Sequence, residues 1–128
     1  MVKKGSCLCG DVTYELEGPF RKVQACHCTQ CRKTSGHFWA ATSVAEQRFK
    51  LLEDKGLKWF RSSSWAERGF CQNCGASLFW KMDDRGDISI AAGTLDDDSG
   101  IETDRHICMA TKGGYYEIND GLPQEDKW

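Results

Sequence analysis

Val23-Gln24-Ala25-Cys26-His27-Cys28-Thr29-Gln30-Cys31 carries two signals at once. Its first part alternates as a half-buried strand does, so side chains two apart share a face: Cys26 and Cys28 look one way and His27 the other. His27 is therefore expected to be a packed or surface histidine rather than a ligand. Cys31 follows through a short turn and can rejoin the pair. Three thiols leave one position of a four-coordinate zinc free, and zinc sites with a free position do chemistry, whereas closed sites hold folds together.

The same alternation extends along the chain. Val12 to Leu16 reads as a strand, Gly18-Pro19 as a turn, and Phe38 to Val44 as an aromatic and β-branched strand. Further strands are expected at Arg48 to Leu52, Leu57 to Arg61, Arg68 to Phe70, Ala76 to Met82, Asp87 to Ala92, His106 to Met109 and Tyr115 to Ile118. Asp83-Asp84-Arg85-Gly86 has the composition of a hairpin turn. One short helical turn is expected around Cys31-Arg32-Lys33-Thr34. The fold class is mainly β with very little helix, and residues 1–128 read as one domain, near the commonest domain size.

Seven of the eight cysteines lie in three clusters, the other two being Cys7-Leu8-Cys9 and Cys71-Gln72-Asn73-Cys74. Each of these offers a pair of thiols and each is followed at once by glycine, Gly10 and Gly75. Glycine eases a tight turn and lets backbone amides approach sulfur. That shared feature pairs Cys7 and Cys9 with Cys71 and Cys74 in one closed, structural zinc site. Cys7 and Cys9 are expected to converge as same-face residues of a strand. Cys108, in Ile107-Cys108-Met109, reads as buried packing, though it could supply a fourth ligand to Cys26, Cys28 and Cys31.

The composition excludes several function classes. A formal net charge of -2 gives no electrostatic footprint for nucleic acid. No apolar stretch is long enough to cross a membrane. Met1 to Gly5 has two lysines with no apolar region behind them, unlike a secretory signal, which predicts a reducing cytoplasmic setting where thiols stay free for metal. The oligomeric state is not legible.

Zinc on three thiolates is a weak Lewis acid, poorly suited to ionising water, but a thiol in the fourth position is deprotonated outright. The three-thiol set thus suits sulfur chemistry. Arg32 and Lys33 beside it, with Ser35-Gly36, could meet a carboxylate but read more simply as a solvated face. Trp39, Trp59 and Trp80 read as strand-core residues rather than a binding wall.

Gly5-Ser6-Cys7-Leu8-Cys9-Gly10, Cys26-His27-Cys28-Thr29-Gln30-Cys31-Arg32-Lys33 and Phe70-Cys71-Gln72-Asn73-Cys74-Gly75 resemble the glutathione-dependent formaldehyde-activating enzyme family, which also includes centromere protein V. Gly93 to Asp96, His106-Ile107 and Asp120 to Pro123 are similar to it too. The resemblance implies a β-tent fold of stacked antiparallel sheets, structural zinc at Cys7, Cys9, Cys71 and Cys74, and catalytic zinc at Cys26, Cys28 and Cys31. It also implies carbon–sulfur bond formation between a small thiol, glutathione, and a small aldehyde, formaldehyde, giving S-hydroxymethylglutathione. Lys112-Gly113-Gly114-Tyr115-Tyr116 departs from the family's Lys-Ala-Pro-Trp-like segment, which bears on the thiol partner if that segment lines the substrate region. Two other readings stand beside the lyase: a zinc-stabilised binding module without turnover, and hydrolysis or another lyase reaction at the same zinc.

Overall fold

The computed structural model describes residues 1–128. Ten strands and one α-helix follow in the order β1 (Val2–Ser6), β2 (Thr13–Glu17), β3 (Val23–Cys26), α1 (Thr29–Ser35), β4 (Trp39–Ala45), β5 (Phe49–Glu53), β6 (Leu57–Arg61), β7 (Ala66–Cys71), β8 (Ser77–Met82), β9 (Asp87–Ala91) and β10 (Thr103–Ile107). They form a three-stranded sheet in the order β1-β2-β5 and a seven-stranded sheet in the order β10-β3-β4-β9-β8-β7-β6. Every pairing is antiparallel except β10 with β3, which is parallel. The expected antiparallel stacking therefore holds apart from one edge strand.

The core lies between the sheets and follows from alternation. Tyr14 and Leu16 of β2 are fully buried, and they pack with Val44, Leu78, Phe79, Ile88 and Ile90 of the larger sheet. Phe79 takes both Tyr14 and Phe49 edge-on, at ring-centroid distances of 5.3 and 5.1 Å, the geometry that ring quadrupoles favour.

Four expectations need correction. Val2–Ser6 is a strand that hydrophobic patterning did not announce, because its inward positions hold Lys3 and Gly5. Lys3 is buried, with Nζ donating to the carbonyls of Asp97 and Ser99. Cys7 and Cys9 lie just after β1 in a turn rather than in a strand. Tyr115 to Ile118 forms no strand; Tyr116 is tied down through its side chain instead. The strand expected at His106 to Met109 runs earlier, as β10, and ends where Cys108 takes a left-handed conformation.

Candidate functional site

Cys7, Cys9, Cys71 and Cys74 come together, and so, separately, do Cys26, Cys28 and Cys31; within each group the sulfurs lie within 4.8 Å of one another. Both groups could hold a metal ion. All the donors are thiols, a set that suits a borderline or soft cation such as zinc rather than calcium or magnesium.

The four-thiol group is built by two turns. Gly10 and Gly75 have φ of 84° and 78°, the left-handed region that glycine enters without steric cost. The Gly75 amide donates to the Cys71 carbonyl at 2.8 Å, closing the knuckle. Backbone amides also reach sulfur: Val12 N donates to Cys7 Sγ at 3.3 Å. Hydrogen bonds from the backbone of Cys9 and Ala76 pull the Cys74 thiol down to about 6. The Cys7–Cys9 and Cys9–Cys71 sulfur separations are both 3.7 Å. A tetrahedron with metal–sulfur bonds of about 2.3 Å has edges of about 3.8 Å, so these thiols already stand at ligand spacing. Gly56 packs so closely on Cys71 that a Cβ there would meet its sulfur at 2.8 Å.

In the three-thiol group, Cys26 ends β3, Cys28 caps α1 by accepting from the Cys31 amide at 3.3 Å, and Cys31 is buried in the helix itself. A helix of seven residues is enough, because its purpose here is to bring position 31 back over position 28. Hydrogen bonds from Cys26 and Cys31 hold the Cys28 thiol far below its ordinary range. The Cys26 thiol is pushed up by those with Cys108 and Cys28, and Cys31 by those with Cys26 and Cys28. A divalent cation would let all three ionise.

These thiols form part of the wall of a cavity of about 400 Å³. Arg21, Arg68 and Arg85 also line it, and no aspartate, glutamate or histidine does. Four of the five tryptophans, Trp39, Trp65, Trp80 and Trp128, face it. Trp39 and Trp80 pack in a small buried cluster with Cys31, Ala41 and Ala91, as the strand-core expectation had it, and line the cavity as well, while Trp59 packs on the main core. Trp128 stacks on Trp65 with centroids 5.9 Å apart and planes inclined by 5°. Arg32 and Lys33 do not reach the cavity, and Ser35 spends its hydroxyl on the Cys31 carbonyl at 2.7 Å.

Arg68 is the site residue that sequence reasoning missed. It is buried, without a carboxylate partner, and its Nη2 donates to Cys31 Sγ at 3.6 Å and to Gln30 Oε1 at 3.4 Å. Three thiolates on a divalent ion leave a charge of -1, which one guanidinium cancels. The nearest signal was an arginine on an alternating strand leading into a cysteine cluster, but nothing local announces that it points inward.

His27 lies on the opposite face, as alternation required, and is fully buried. Burial pulls its imidazole down to about 4. Its Nε2 is 2.9 Å from His106 Nδ1, and His106 Nε2 is 2.7 Å from Asp120 Oδ2. With Asp120 ionised, one proton arrangement satisfies the chain: His106 donates to the carboxylate, His27 donates to His106, and the Tyr116 hydroxyl donates to His27 Nδ1 at 2.5 Å. The Lys112 to Tyr116 segment serves this face and does not line the cavity; Cys108 and Thr111, just before it, do. Cys108 is half-buried and lies outside the three-thiol group, so neither apolar packing nor a completed four-thiol shell describes it.

No helix of the chain is long and apolar enough to cross a membrane. The profile described as glutathione-dependent formaldehyde-activating enzyme matches residues 2–111. An uncharacterized lyase of Schizosaccharomyces pombe is 30% identical over 118 residues, spanning 90% of this chain and 84% of that protein. A protein of Halomonas elongata, named as a candidate glutathione-dependent formaldehyde-activating enzyme, is 29% identical over 92% of this chain and 82% of its own length. A crystal structure of a Rhodobacter sphaeroides protein superposes with a TM-score of 0.65 at 18% identity, covering 94% of this chain and 98% of that one, which bears on the fold alone.

Proposed function

We propose, from the premise that this chain belongs to the glutathione-dependent formaldehyde-activating enzyme family, that it is a carbon–sulfur lyase joining a small thiol such as glutathione to a small aldehyde such as formaldehyde, and splitting the adduct in reverse. The observation that carries this reading is the convergence of Cys26, Cys28 and Cys31 on the wall of a cavity lined by arginines, with no fourth protein ligand among them. These three residues would hold a catalytic zinc, and Cys7, Cys9, Cys71 and Cys74 a structural one, within a single domain spanning residues 1–128. Zinc bound at the three-thiol set would keep a substrate thiol ionised near neutral pH.

The residues around the set supply binding and charge. Arg21 and Arg85 stand in the cavity wall where carboxylates of a thiol substrate can pair with them. Arg68 balances the thiolate charge from behind Cys31. In the reaction the sulfur electron pair forms the S–C bond, the carbonyl π pair moves to oxygen, and that oxygen takes one proton. With no carboxylate or imidazole lining the cavity, that proton arrives through water, matching the one the thiol released. The tryptophans limit how much water enters.

The test is the rate of thiol–aldehyde equilibration with zinc-loaded protein against the spontaneous rate. Acceleration that Cys28→Ala abolishes supports the proposal. Equilibration at the spontaneous rate, from protein shown to carry two zinc ions, would sink it. A fourth protein ligand closing the second site would favour a binding module without turnover, and the position of Cys108 outside the group removes that support.

A further inference from the structure

Cys108 belongs to neither thiol set, yet it is aimed at one of them. β10 runs parallel to β3 with Ile107 paired to Cys26, and both residues line the cavity. Continued alternation would turn Cys108 the other way, to the face where His106 meets His27. Instead its backbone is left-handed, with φ 57° and ψ 39°, a conformation that costs a non-glycine residue roughly 1 kcal/mol or more. The C-terminal strap holds that bend, with Cys108 N donating to the Lys127 carbonyl at 3.3 Å and Met109 N to that of Glu125 at 2.9 Å. The result is a half-buried thiol in the wall of the same cavity that Cys26 lines.

We propose that Cys26 and Cys108 form a redox pair that peroxide closes into a disulfide, withdrawing Cys26 from the three-thiol set and releasing its metal reversibly. Ile107 is the registered partner of Cys26 on the neighbouring strand and Cys108 is the next residue, so the two thiols come from adjacent backbone segments, as a disulfide requires. Hydrogen peroxide reaches Cys108 through the cavity. The Cys108 sulfur takes one oxygen, becoming a sulfenic acid while one water leaves. Cys26 Sγ then attacks that sulfur, the S–S bond forms, and the hydroxyl departs as a second water. Two thiols lose two electrons and one peroxide gains them. Cys28 and Cys31 remain as two ligands, too few for a stable site, while Cys7, Cys9, Cys71 and Cys74 do not line this cavity, have no Cys108 beside them and keep theirs.

The proposal takes from the functional reading only that the three-thiol set binds metal. The cross-link itself can be read without it, in metal-free protein, so the two can fail separately. The experiment treats reduced, zinc-loaded full-length protein with hydrogen peroxide, follows zinc release with a chromophoric chelator, and maps disulfides by mass spectrometry. Expected are loss of about half the bound zinc, a Cys26–Cys108 cross-linked peptide lighter by two hydrogens, and recovery with a thiol reductant. Cys108→Ser should bind the same amount of zinc beforehand and release it about tenfold more slowly. Cys108→Ala, which retains no hydroxyl, guards against a packing artefact and should behave likewise. Zinc loss at the wild-type rate from both variants, or cross-links confined to Cys26, Cys28 and Cys31, would overturn the proposal.

Discussion

Arg68 places Nη2 3.6 Å from the sulfur of Cys31, setting a buried guanidinium directly against the three-thiol cluster. A buried charge without a partner is costly, so each side of this contact needs the other. Arg68→Gln should weaken zinc at the three-thiol set by about tenfold or more, as loss of a group hydrogen-bonded to a metal ligand commonly does. Arg68→Lys keeps the charge but not the fork, and should recover only part of that. Zinc competition with a chelator of known affinity measures both. Affinity unchanged in Arg68→Gln would show that the guanidinium serves the cavity rather than the thiolates.

The two thiol sets predict two different failures. Cys74→Ala opens the knuckle that ties the turn after β1 to the end of β7, and structural zinc contributes folding energy outright. That variant should be unfolded or melt far below wild type. Cys28→Ala removes a ligand and the N-cap of α1, where a cap is worth about 1 kcal/mol, and should remain folded with about half the zinc. Metal analysis beside thermal melts checks both, and equal collapse of the two variants would contradict the division.

Much of this architecture was legible because the chemistry was local. β6 lies where alternation placed it, the helix falls around Cys31, and the glycines after Cys9 and Cys74 paired the right clusters. What escaped was non-local. Lys3 is inward because carbonyls of Asp97 and Ser99, more than ninety residues away, receive its ammonium. Arg68 is inward because the Cys31 sulfur and the Gln30 side-chain carbonyl of α1 receive its guanidinium. Trp65 and Trp80 make a cavity wall only once Trp128 arrives beside them. The parallel pairing of β10 with β3 is a contact between segments with no shared local signal.

Gly5 explains a glycine of the first motif that metal ligation does not. A Cβ there would overlap the Tyr14 hydroxyl and meet the Thr94 carbonyl at 2.5 Å. Gly5→Ala should therefore destabilise the chain by about 2 kcal/mol through overpacking, while leaving the zinc count unchanged. Denaturant unfolding with parallel metal analysis separates the two effects. Zinc loss without a stability change would assign Gly5 to the metal site instead.

Tyr14 predicts the alkaline limit. Thr94 Oγ1 donates to the Ala91 carbonyl at 2.7 Å, so the Tyr14 hydroxyl donates to Thr94 at 2.6 Å. Burial pushes the phenol up to about 12 from an ordinary 10.0. An acid whose pKa is raised by folding contributes stability that is complete below its unfolded value and is lost as pH rises through the folded one. Stability should thus fall between pH 10 and about 12, by a few kcal/mol at most and roughly 3 as an upper figure. Tyr14→Phe should flatten that limb. An unaltered alkaline slope in the variant would show that other groups govern it.

The chain Asp120–His106–His27–Tyr116 predicts an order of losses. His106 both donates to Asp120 and accepts from His27, and His27 has no solvent to turn to. His106→Ala strands a buried N–H and should cost about 2–3 kcal/mol. Asp120→Ala removes an acceptor at an exposed position, where water can replace it, and should cost clearly less than His106→Ala. The hydrogen bond from His106 also holds the Asp120 carboxyl below its ordinary 3.8. Being depressed, it contributes stability that is complete above that value and lost as pH falls below it, so wild type and Asp120→Ala should converge in strong acid. Denaturant midpoints at neutral pH and near pH 2 check both statements. Equal losses for the two variants at neutral pH would mean that His27 takes its support from Tyr116 alone, and that the carboxylate end of the chain is idle.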